Sequence, residues 1–405
     1  MAAVRESFDV VVVGGGPCGS FSALAAARRG ADVSVIEEHM EIGVPSHCAG
    51  HISAHGLKTL GLDSPSDLIE NKIRIANFHS PSGRTLRVEC EKPVTFVIDR
   101  VLFDQYLAEL ATRAGVSFIR GVCAESFLTD SGQIRGITVR GERRSHVEAK
   151  VVIDAEGIHA GLLKKANLPN PREEAMVIGA QGYSARVSDV EPESVEVYLG
   201  SSYAPGFFAW IIPRKDGSAK VGLAANRGNP RILLEHFATA HPIASRKISE
   251  PLADISFHPI PLGGPSPRTY ASGLLVVGDA ASQVKPTTGG GIIFGLTCSR
   301  VAGGIAADSV AVGDCSSHAL SRYQESWIDI LGKEFAIGRL TRRILSGLSD
   351  SALDRIFWIG KEFRVENSIG CVSEIDFEER ILRDSLRKPN VALALLCSLF
   401  SCLLP

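Results

Sequence analysis

Hydrophobic and polar positions along this chain repeat with two periods. Residues 8–13, Phe-Asp-Val-Val-Val-Val, form a nearly continuous β-branched run, the pattern of a strand buried on both faces. The alanine-rich stretch from Ser20 to Arg29 then reads as a helix, and Asp32 to Ile36 as a second strand ending at Glu37. Val151 to Asp154 and Leu274 to Val277 are further buried-type strands, and Ile292 to Ala307 is a further helix. After Ile98-Asp99-Arg100, residues Phe103, Tyr106, Leu107 and Leu110 fall at helical spacing. Elsewhere the period shortens to two. Residues 72–97 read as a short hairpin around Pro81-Ser82-Gly83, and residues 176–262 alternate in runs such as Ser194 to Leu199 and Ala219 to Ala224. Beyond residue 311 amphipathic helical spacing prevails, as from Tyr323 to Leu345.

These patterns predict an α/β (α+β) chain in three parts. Segments 1–71, 98–175 and 263–310 build a Rossmann-like domain. Segments 72–97 and 176–262 build a β-sheet domain, expected to bind substrate, and 311–405 a helical C-terminal region.

The glycines give the first part its chemistry. Gly14-Gly15-Gly16-Pro17-Cys18-Gly19 sits between the first strand and the first helix. Gly14 permits the tight turn, Gly16 lets backbone approach a pyrophosphate, and Gly19 lets helix pack on strand, while the helix N-terminus offers N–H groups to negative charge. Glu37 stands at the spacing of about twenty residues expected for a carboxylate on a ribose hydroxyl. A second segment, Gly278-Asp279-Ala280 followed by Thr287-Thr288-Gly289-Gly290-Gly291-Ile292, supplies the other half. Asp279 is placed for a ribityl hydroxyl, and the bare N–H groups of Gly290, Gly291 and Ile292 for the electron-rich edge of an isoalloxazine ring. Together the halves predict one site for FAD. Arg100 reads either as a ligand of flavin phosphate or ribityl or as a helix-surface arginine, and Ala124 completes the cofactor-binding candidates. Asp154-Ala155-Glu156-Gly157 is a strand ending in Asp-x-x-Gly, a recurrent feature of flavin folds or a plain strand-end turn.

Composition narrows the remaining choices. A formal net charge of −2 over 405 residues leaves no basic field for nucleic acid. Nine cysteines stand without CxxC or CxxH spacing, so zinc and iron–sulfur sites are disfavoured and no metal is expected. The odd count bars a complete disulfide framework, and the first strand begins too early for a secretory signal, so a reducing, cytoplasmic setting is expected. Residues 391–405, VALALLCSLFSCLLP, carry no charge and follow Arg387 and Lys388. They are too short for a spanning helix of about twenty residues. Two readings stay open, a core-packing helix or a peripheral segment on the inner face of the cell membrane.

Tyr203-Ala204-Pro205-Gly206-Phe207-Phe208-Ala209-Trp210-Ile211-Ile212-Pro213, then Gly222, resembles the PxxYxWxFPx8G signature of archaeal geranylgeranyl reductases, a family with the para-hydroxybenzoate hydroxylase type of FAD fold. Pro205, Trp210, Pro213 and Gly222 keep the spacing, while Phe208 replaces the tyrosine and Ile212 the phenylalanine. Pro45-Ser46-His47-Cys48-Ala49-Gly50 matches the family's Cys-Ala-Gly segment. The resemblance implies a reductase of carbon–carbon double bonds in geranylgeranyl ether lipids, with Cys48, Ala49 and Gly50 beside the flavin. It further implies Pro205, Phe208, Trp210, Ile212, Pro213 and Gly222 against the isoprenoid chain, and Cys48 and His47 as candidates for proton supply. With no second GxGxxG after a strand, no nicotinamide domain is expected. The external donor is left open between NADPH, a partner protein such as ferredoxin, and a reduced deazaflavin. Phe208-x-Trp210-x-Ile212-Pro213 is also one residue from the WxWxIP signature of flavin halogenases, so a halogenase or hydroxylase is the alternative enzyme, and a non-catalytic flavin-fold lipid-binding protein the third reading.

Overall fold

In the computed structural model of the protein, residues 7–62, 65–141, 144–166, 168–169, 175–368 and 376–403 are described. The chain divides into two compact units, each discontinuous in sequence. Met1–Ser46, Arg100–Glu174 and Pro261–Ala336 form the first, and His47–Asp99, Ala175–Ile260 and Ile337–Pro405 the second. Residues 47–71, grouped by the sequence with the nucleotide-binding segments, therefore fall in the second unit. The reason is backbone pairing: His51–Ser53 and Ile69–Ile73 both hydrogen-bond to Thr95–Ile98 in a three-stranded sheet. The C-terminal region likewise divides, at residue 337.

The first unit is built on an eight-stranded sheet. Ser7–Val13 lies between Arg144–Asp154 and Val33–Glu37, parallel to both, and Ser117–Arg120 continues the parallel series beyond Val33–Glu37. Leu274–Val276 flanks Arg144–Asp154 on the other side, also parallel. Val10, Val11 and Val12 are wholly buried, which is why the run shows no alternation. The helices Pro17–Ala27 and Ile292–Val312 pack closely, because at Gly303 a Cβ would collide with the Ser22 carbonyl. The second helix extends five residues past its expected end and stops at Gly313 in the left-handed conformation, φ 78°.

The second unit is built on a seven-stranded sheet in the order Ala253–Pro261, Met176–Ser184, Ala219–Ala225, Phe208–Pro213, Ser194–Leu199, Ile75–His79, Thr85–Glu89. One face is covered. Tyr198, Ala209, Ile211, Val221 and Leu223 pack with Leu234 and Phe237 of the helix Pro230–Ala240. That helix lies inside a stretch read as strands; Asn229 caps it through the amides of Arg231 and Ile232, and Pro230 takes its first turn. The opposite face carries Phe78, Leu86, Val197, Phe208 and Trp210, all half-exposed.

Beneath the covered face lies a buried polar group. Glu196 accepts from Asn77 Nδ2 at 3.0 Å, pairs with Lys247 Nζ at 2.7 Å and meets His79 Nε2. His79 stacks on Tyr198, with ring centroids 4.5 Å apart, and Tyr198 meets His241 edge-on. His241 accepts the amides of Ile243 and Ala244 on Nδ1, and its burial lowers its pKa to about 4.

The C-terminal helices are Ser317–Gly347, Asp350–Glu362, Val365–Ser368, Glu378–Leu386 and Pro389–Leu403. In the last, Val391 and Ala394 are buried while Leu393 and Leu396 are about half exposed. Among the described residues no helix is long and apolar enough to cross a membrane. Cys90 is disulfide-bonded, a pairing that the scattered cysteines did not predict.

Burial raises the pKa of Glu196, but hydrogen bonds from His79, Lys247 and Asn77 outweigh it and hold the carboxyl at about 2. Its unfolded value is about 4.3, so its contribution to stability is full above that pH and is lost as pH falls toward the folded value. Glu196→Gln removes this term. Thermal unfolding followed by circular dichroism between pH 5 and about 2.5 is expected to show a shallower decline in midpoint for the variant than for the wild type.

Candidate active site

The turn after the first strand is shaped by three glycines with different surroundings. Gly14, at φ +97°, donates its N–H to the Ile36 carbonyl at 2.8 Å, and a Cβ there would collide with the Ala155 carbonyl. At Gly19 a Cβ would collide with the Gly14 carbonyl. Around Gly16 nothing lies within 4 Å of the Cβ position. Two glycines therefore serve packing and the middle one leaves the backbone open to an approaching group. Helix Pro17–Ala27 starts at that opening without a side-chain cap, so its first-turn N–H groups are available to an anion.

Glu37, buried at the end of its strand, accepts the Gly15 N–H on Oε2 at 2.6 Å and the His39 N–H on Oε1 at 2.8 Å. The carboxylate assigned to a ribose thus also fastens the glycine turn, a role the sequence spacing did not reveal. Gly121 donates to the His39 carbonyl and Val122 to the Glu37 carbonyl. Those bonds bring the strand Cys123–Asp130, and Ala124 within it, beside the same strand end; Ala124 is half-buried against the core.

Arg100 opens the helix Arg100–Arg113 and makes a two-pronged ion pair with Asp104, its Nη2 3.0 Å from both carboxylate oxygens. Cys18 joins the two glycine segments. Its Sγ stands 2.8 Å from where a Cβ on Gly278 would be and 2.5 Å from the Cβ position of Gly295. Burial, reinforced by the charge of Asp279, pushes its thiol up to about 12, so it packs as a neutral group. The Gly278 N–H donates to Gln283 Oε1, Gln283 Nε2 to the Tyr323 hydroxyl, and that hydroxyl to the Val276 carbonyl, each within 2.9 Å. Sequence reasoning missed Gln283 and Tyr323, which brace the Asp279 turn.

Asp279 Oδ1 lies 3.1 Å from the Cβ position of Gly291, so a side chain there would crowd the carboxylate. Gly291 caps the helix Ile292–Val312 through no side chain, and Gly290 donates to Thr288 Oγ1 at 3.4 Å. Two uncapped helix starts, an open Gly16 and two carboxylates in one unit fit a dinucleotide with a second electron-rich moiety.

The second unit holds the other candidates. Trp210 and Gly222 are directly paired across adjacent strands, and a Cβ on Gly222 would lie 2.5 Å from Trp210 Cζ2. The indole ring therefore lies over the glycine, with Nε1 donating to Gln181 Oε1 at 3.2 Å. This is the physical reason for the fixed spacing between the two. Phe208, Trp210 and Ile212 share one face of their strand, and Phe208 meets Trp210 edge-on at 6.0 Å. Pro205 accepts the Asn226 N–H at 3.0 Å, and Pro213 pairs with Ala219.

Ala49 and Trp210 both pack on the cluster of Ile73, Val97, Val195 and Ile212, so the Cys-Ala-Gly segment and the tryptophan motif meet. Cys48 is half-buried and accepts the Gly50 N–H on Sγ at 3.4 Å. His47 is exposed and stacks on His258 with centroids 5.8 Å apart. Gly50, at φ +69°, leaves no space for a side chain beside the Ile98 carbonyl. That carbonyl also accepts from Lys220 Nζ at 3.2 Å, and Lys220 pairs with Glu70 at 2.6 Å. Lys220 is almost wholly buried and was not singled out from sequence.

Two family descriptions match the chain, "FAD dependent oxidoreductase" over residues 9–170 and "Geranylgeranyl reductase catalytic domain" over residues 176–249. "Digeranylgeranylglycerophospholipid reductase 2" of Methanopyrus kandleri is 36% identical across 86% of this chain and 89% of its own length. The protein so named from Methanothermobacter thermautotrophicus is 34% identical across 94% and 100%. A solved structure of a geranylgeranyl bacteriochlorophyll reductase-like protein from Thermoplasma acidophilum is similar with a TM-score of 0.87 and 27% identity, covering 97% of this chain and 99% of that one. The flavin-dependent brominase Bmp2, with a TM-score of 0.69 and 18% identity over 94% and 93%, shares the fold.

The different surroundings of Gly16 and Gly19 are separable by mutation. Gly16→Val is expected to leave the thermal midpoint of apo-protein within a few degrees while lowering FAD affinity by about tenfold or more, read by fluorescence titration. Gly19→Ala is expected to lower the midpoint itself.

Proposed function

The chain belongs to the geranylgeranyl reductase family, and on that premise we propose that it is an FAD-dependent reductase hydrogenating the isoprenoid C=C bonds of digeranylgeranyl glycerophospholipids. The observation that carries this reading is the indole of Trp210 laid over Gly222, on a sheet face lined by half-exposed apolar side chains. An isoprenoid chain gains roughly 25 cal/mol for each Å² it removes from water, and the half-exposed apolar side chains of that face offer such burial, with the one indole N–H satisfied by Gln181.

FAD, when bound and reduced, supplies the hydride. The chain's own residues do the remainder. Gly14, Gly16, Pro17, Cys18 and Gly19 shape the phosphate turn, Glu37 and Asp279 offer carboxylates to hydroxyl groups, and the helix starting after Gly291 offers its N–H groups to negative charge. Arg100 and Ala124 belong to the same cofactor-binding set, as do Ala49 and Gly50. Phe208 and Trp210, bounded by Pro205 and Pro213 and backed by the buried Ile212, hold the alkene against thermal wandering and exclude water; an isolated trisubstituted alkene is a poor hydride acceptor, so orientation carries much of the barrier. Cys48 supplies the proton that completes the alkane, with His47 as its route to solvent. The electron donor is external: NADPH, reduced ferredoxin or a reduced deazaflavin. Leu393 and Leu396, one turn apart and exposed on the last helix, rest on the lipid surface from which substrate is drawn.

Holoenzyme reduced anaerobically with dithionite and given a digeranylgeranyl glycerophospholipid is expected to add hydrogens in pairs, seen by mass spectrometry, as flavin reoxidises. Lipid left unchanged over reduced flavin overturns the reading and directs attention to dioxygen and halide. Cys48→Ala is expected to lower kcat by about a hundredfold with FAD content unchanged. For the surface contact, Leu393→Ser/Leu396→Ser is expected to reduce liposome flotation severalfold; flotation equal to wild type refutes it.

A further inference from the structure

We infer that the last turns of the helix Ser317–Gly347 form a site for a phosphate group, held by Arg342 with Arg339 and Arg343 beside it. The site stands at one end of a series of aromatic rings that leads to Trp210. This inference rests on the reductase reading above and gives the polar end of a lipid a place to bind.

Arg342 is half-buried, and its guanidinium donates an N–H to the Gly206 carbonyl while its Cζ stands 5.1 Å from the centre of the Phe207 ring. Among the described residues no carboxylate lies within ion-pair distance of it. Burial lowers the pKa of the group, and no neighbouring charge offsets the loss of water. A cation drawn from water without a counter-charge is costly. Its remaining N–H groups keep the planar fork that suits two oxygens of one phosphate.

The neighbours of Arg342 add to its field. Arg339 lies one turn before it and Arg343 next to it, both exposed, and neither pairs with a carboxylate among the described residues. The negative end of a helix dipole attracts arginines to such positions, which accounts for the exposed two. It does not account for drawing Arg342 inward over an aromatic ring. Asp350, on the next helix, is committed elsewhere, accepting the Ser201 amide at 2.8 Å and the Ser201 hydroxyl at 3.1 Å. The loop that leads into the strand Phe208–Pro213 is thus fastened twice, by a carboxylate at Ser201 and by a guanidinium at Gly206.

From Arg342 the contacts run on to the sheet. Phe207 stacks on Phe208 with centroids 4.2 Å apart and planes 18° from parallel, and Phe208 meets Trp210 edge-on at 6.0 Å. Phe207 is buried, whereas Phe208 and Trp210 are half-exposed. This order of cation, apolar rings and indole matches a molecule with an anionic end and a hydrocarbon body.

Two sources present such an anion, the headgroup of a glycerophospholipid and free phosphate, and protection from chemical modification separates them. Holoenzyme is treated with phenylglyoxal, and modification of Arg342 is followed by peptide mass spectrometry with a saturated dialkylglycerol phosphate, the same dialkylglycerol without phosphate, or inorganic phosphate. None of the three can be hydrogenated, so the readout stands whether or not the chain reduces lipids. The dialkylglycerol phosphate is expected to slow modification about fivefold or more, and the neutral dialkylglycerol to leave it unchanged. Equal slowing by inorganic phosphate alone supports the site and assigns it to the free ion. No slowing by either phosphate, or equal slowing by the neutral lipid, overturns the inference.

Where the lipid phosphate protects, turnover tests the headgroup assignment. Arg342→Gln keeps a donor for the Gly206 carbonyl and removes the charge. It is expected to raise KM for a digeranylgeranylglycerol phosphate by about tenfold or more with kcat within about twofold, and Arg342→Lys to recover part of that loss. KM unchanged in Arg342→Gln overturns the assignment. If the wild type hydrogenates no lipid, the reductase reading fails by itself, and the protection result alone decides the site.

Discussion

The nucleotide-binding unit depends on how closely the Cys18 side chain approaches two backbones. Its Sγ fills the space that a Cβ on Gly278 or on Gly295 would require, and so the turn after the first strand and the turn before the long helix share one contact. Motifs separated by more than half of the chain can then serve a single ligand. Were that contact looser, two helix starts would still attract anions, but independently of one another. The neutral state of the thiol follows from the same burial. A thiolate there would add a negative charge beside Asp279, where the site has to accept phosphates.

In the second unit the corresponding constraint is parity. Alternate residues of each strand face opposite ways, and the two faces have separate tasks. Ala209, Ile211, Val221 and Leu223 fix the sheet to its helix, whereas Phe208 and Trp210 stand half-open on the other side. Gly222 belongs with the open face. Its missing side chain lets an aromatic ring lie flat on the strand, the cross-strand pairing that designers use to rescue glycine in sheets. The Phe208 and Ile212 replacements in the signature keep the apolar surface, and neither disturbs the covered face.

Much of this was legible in the sequence because it depends on local rules. The Val10 to Val13 run, the glycine spacing, Glu37 and the uninterrupted helix after Gly291 follow from periodicity and backbone sterics over a few residues. What stayed hidden depends on partners distant in sequence. Glu37 bonding to Gly15, the Gln283–Tyr323 brace and Lys220 beside Gly50 are side-chain choices that no short window contains. Residues 47–71 were placed with the wrong neighbours because strand pairing, which puts them with Thr95–Ile98, is set by register over many residues. The helix Pro230–Ala240 was readable from Asn229-Pro230, but the surrounding alternation obscured it.

The division of faces in the seven-stranded sheet separates two kinds of change. On the proposed reading, substitutions at Phe208 or Trp210 reshape the surface offered to a hydrocarbon, while their neighbours Ala209 and Ile211 hold the sheet to its covering helix. A preference set on that face could then change along one parity of each strand with little effect on the packing held by the other parity. Specificity in such a sheet is a variable that a lineage can explore without first accumulating excess stability.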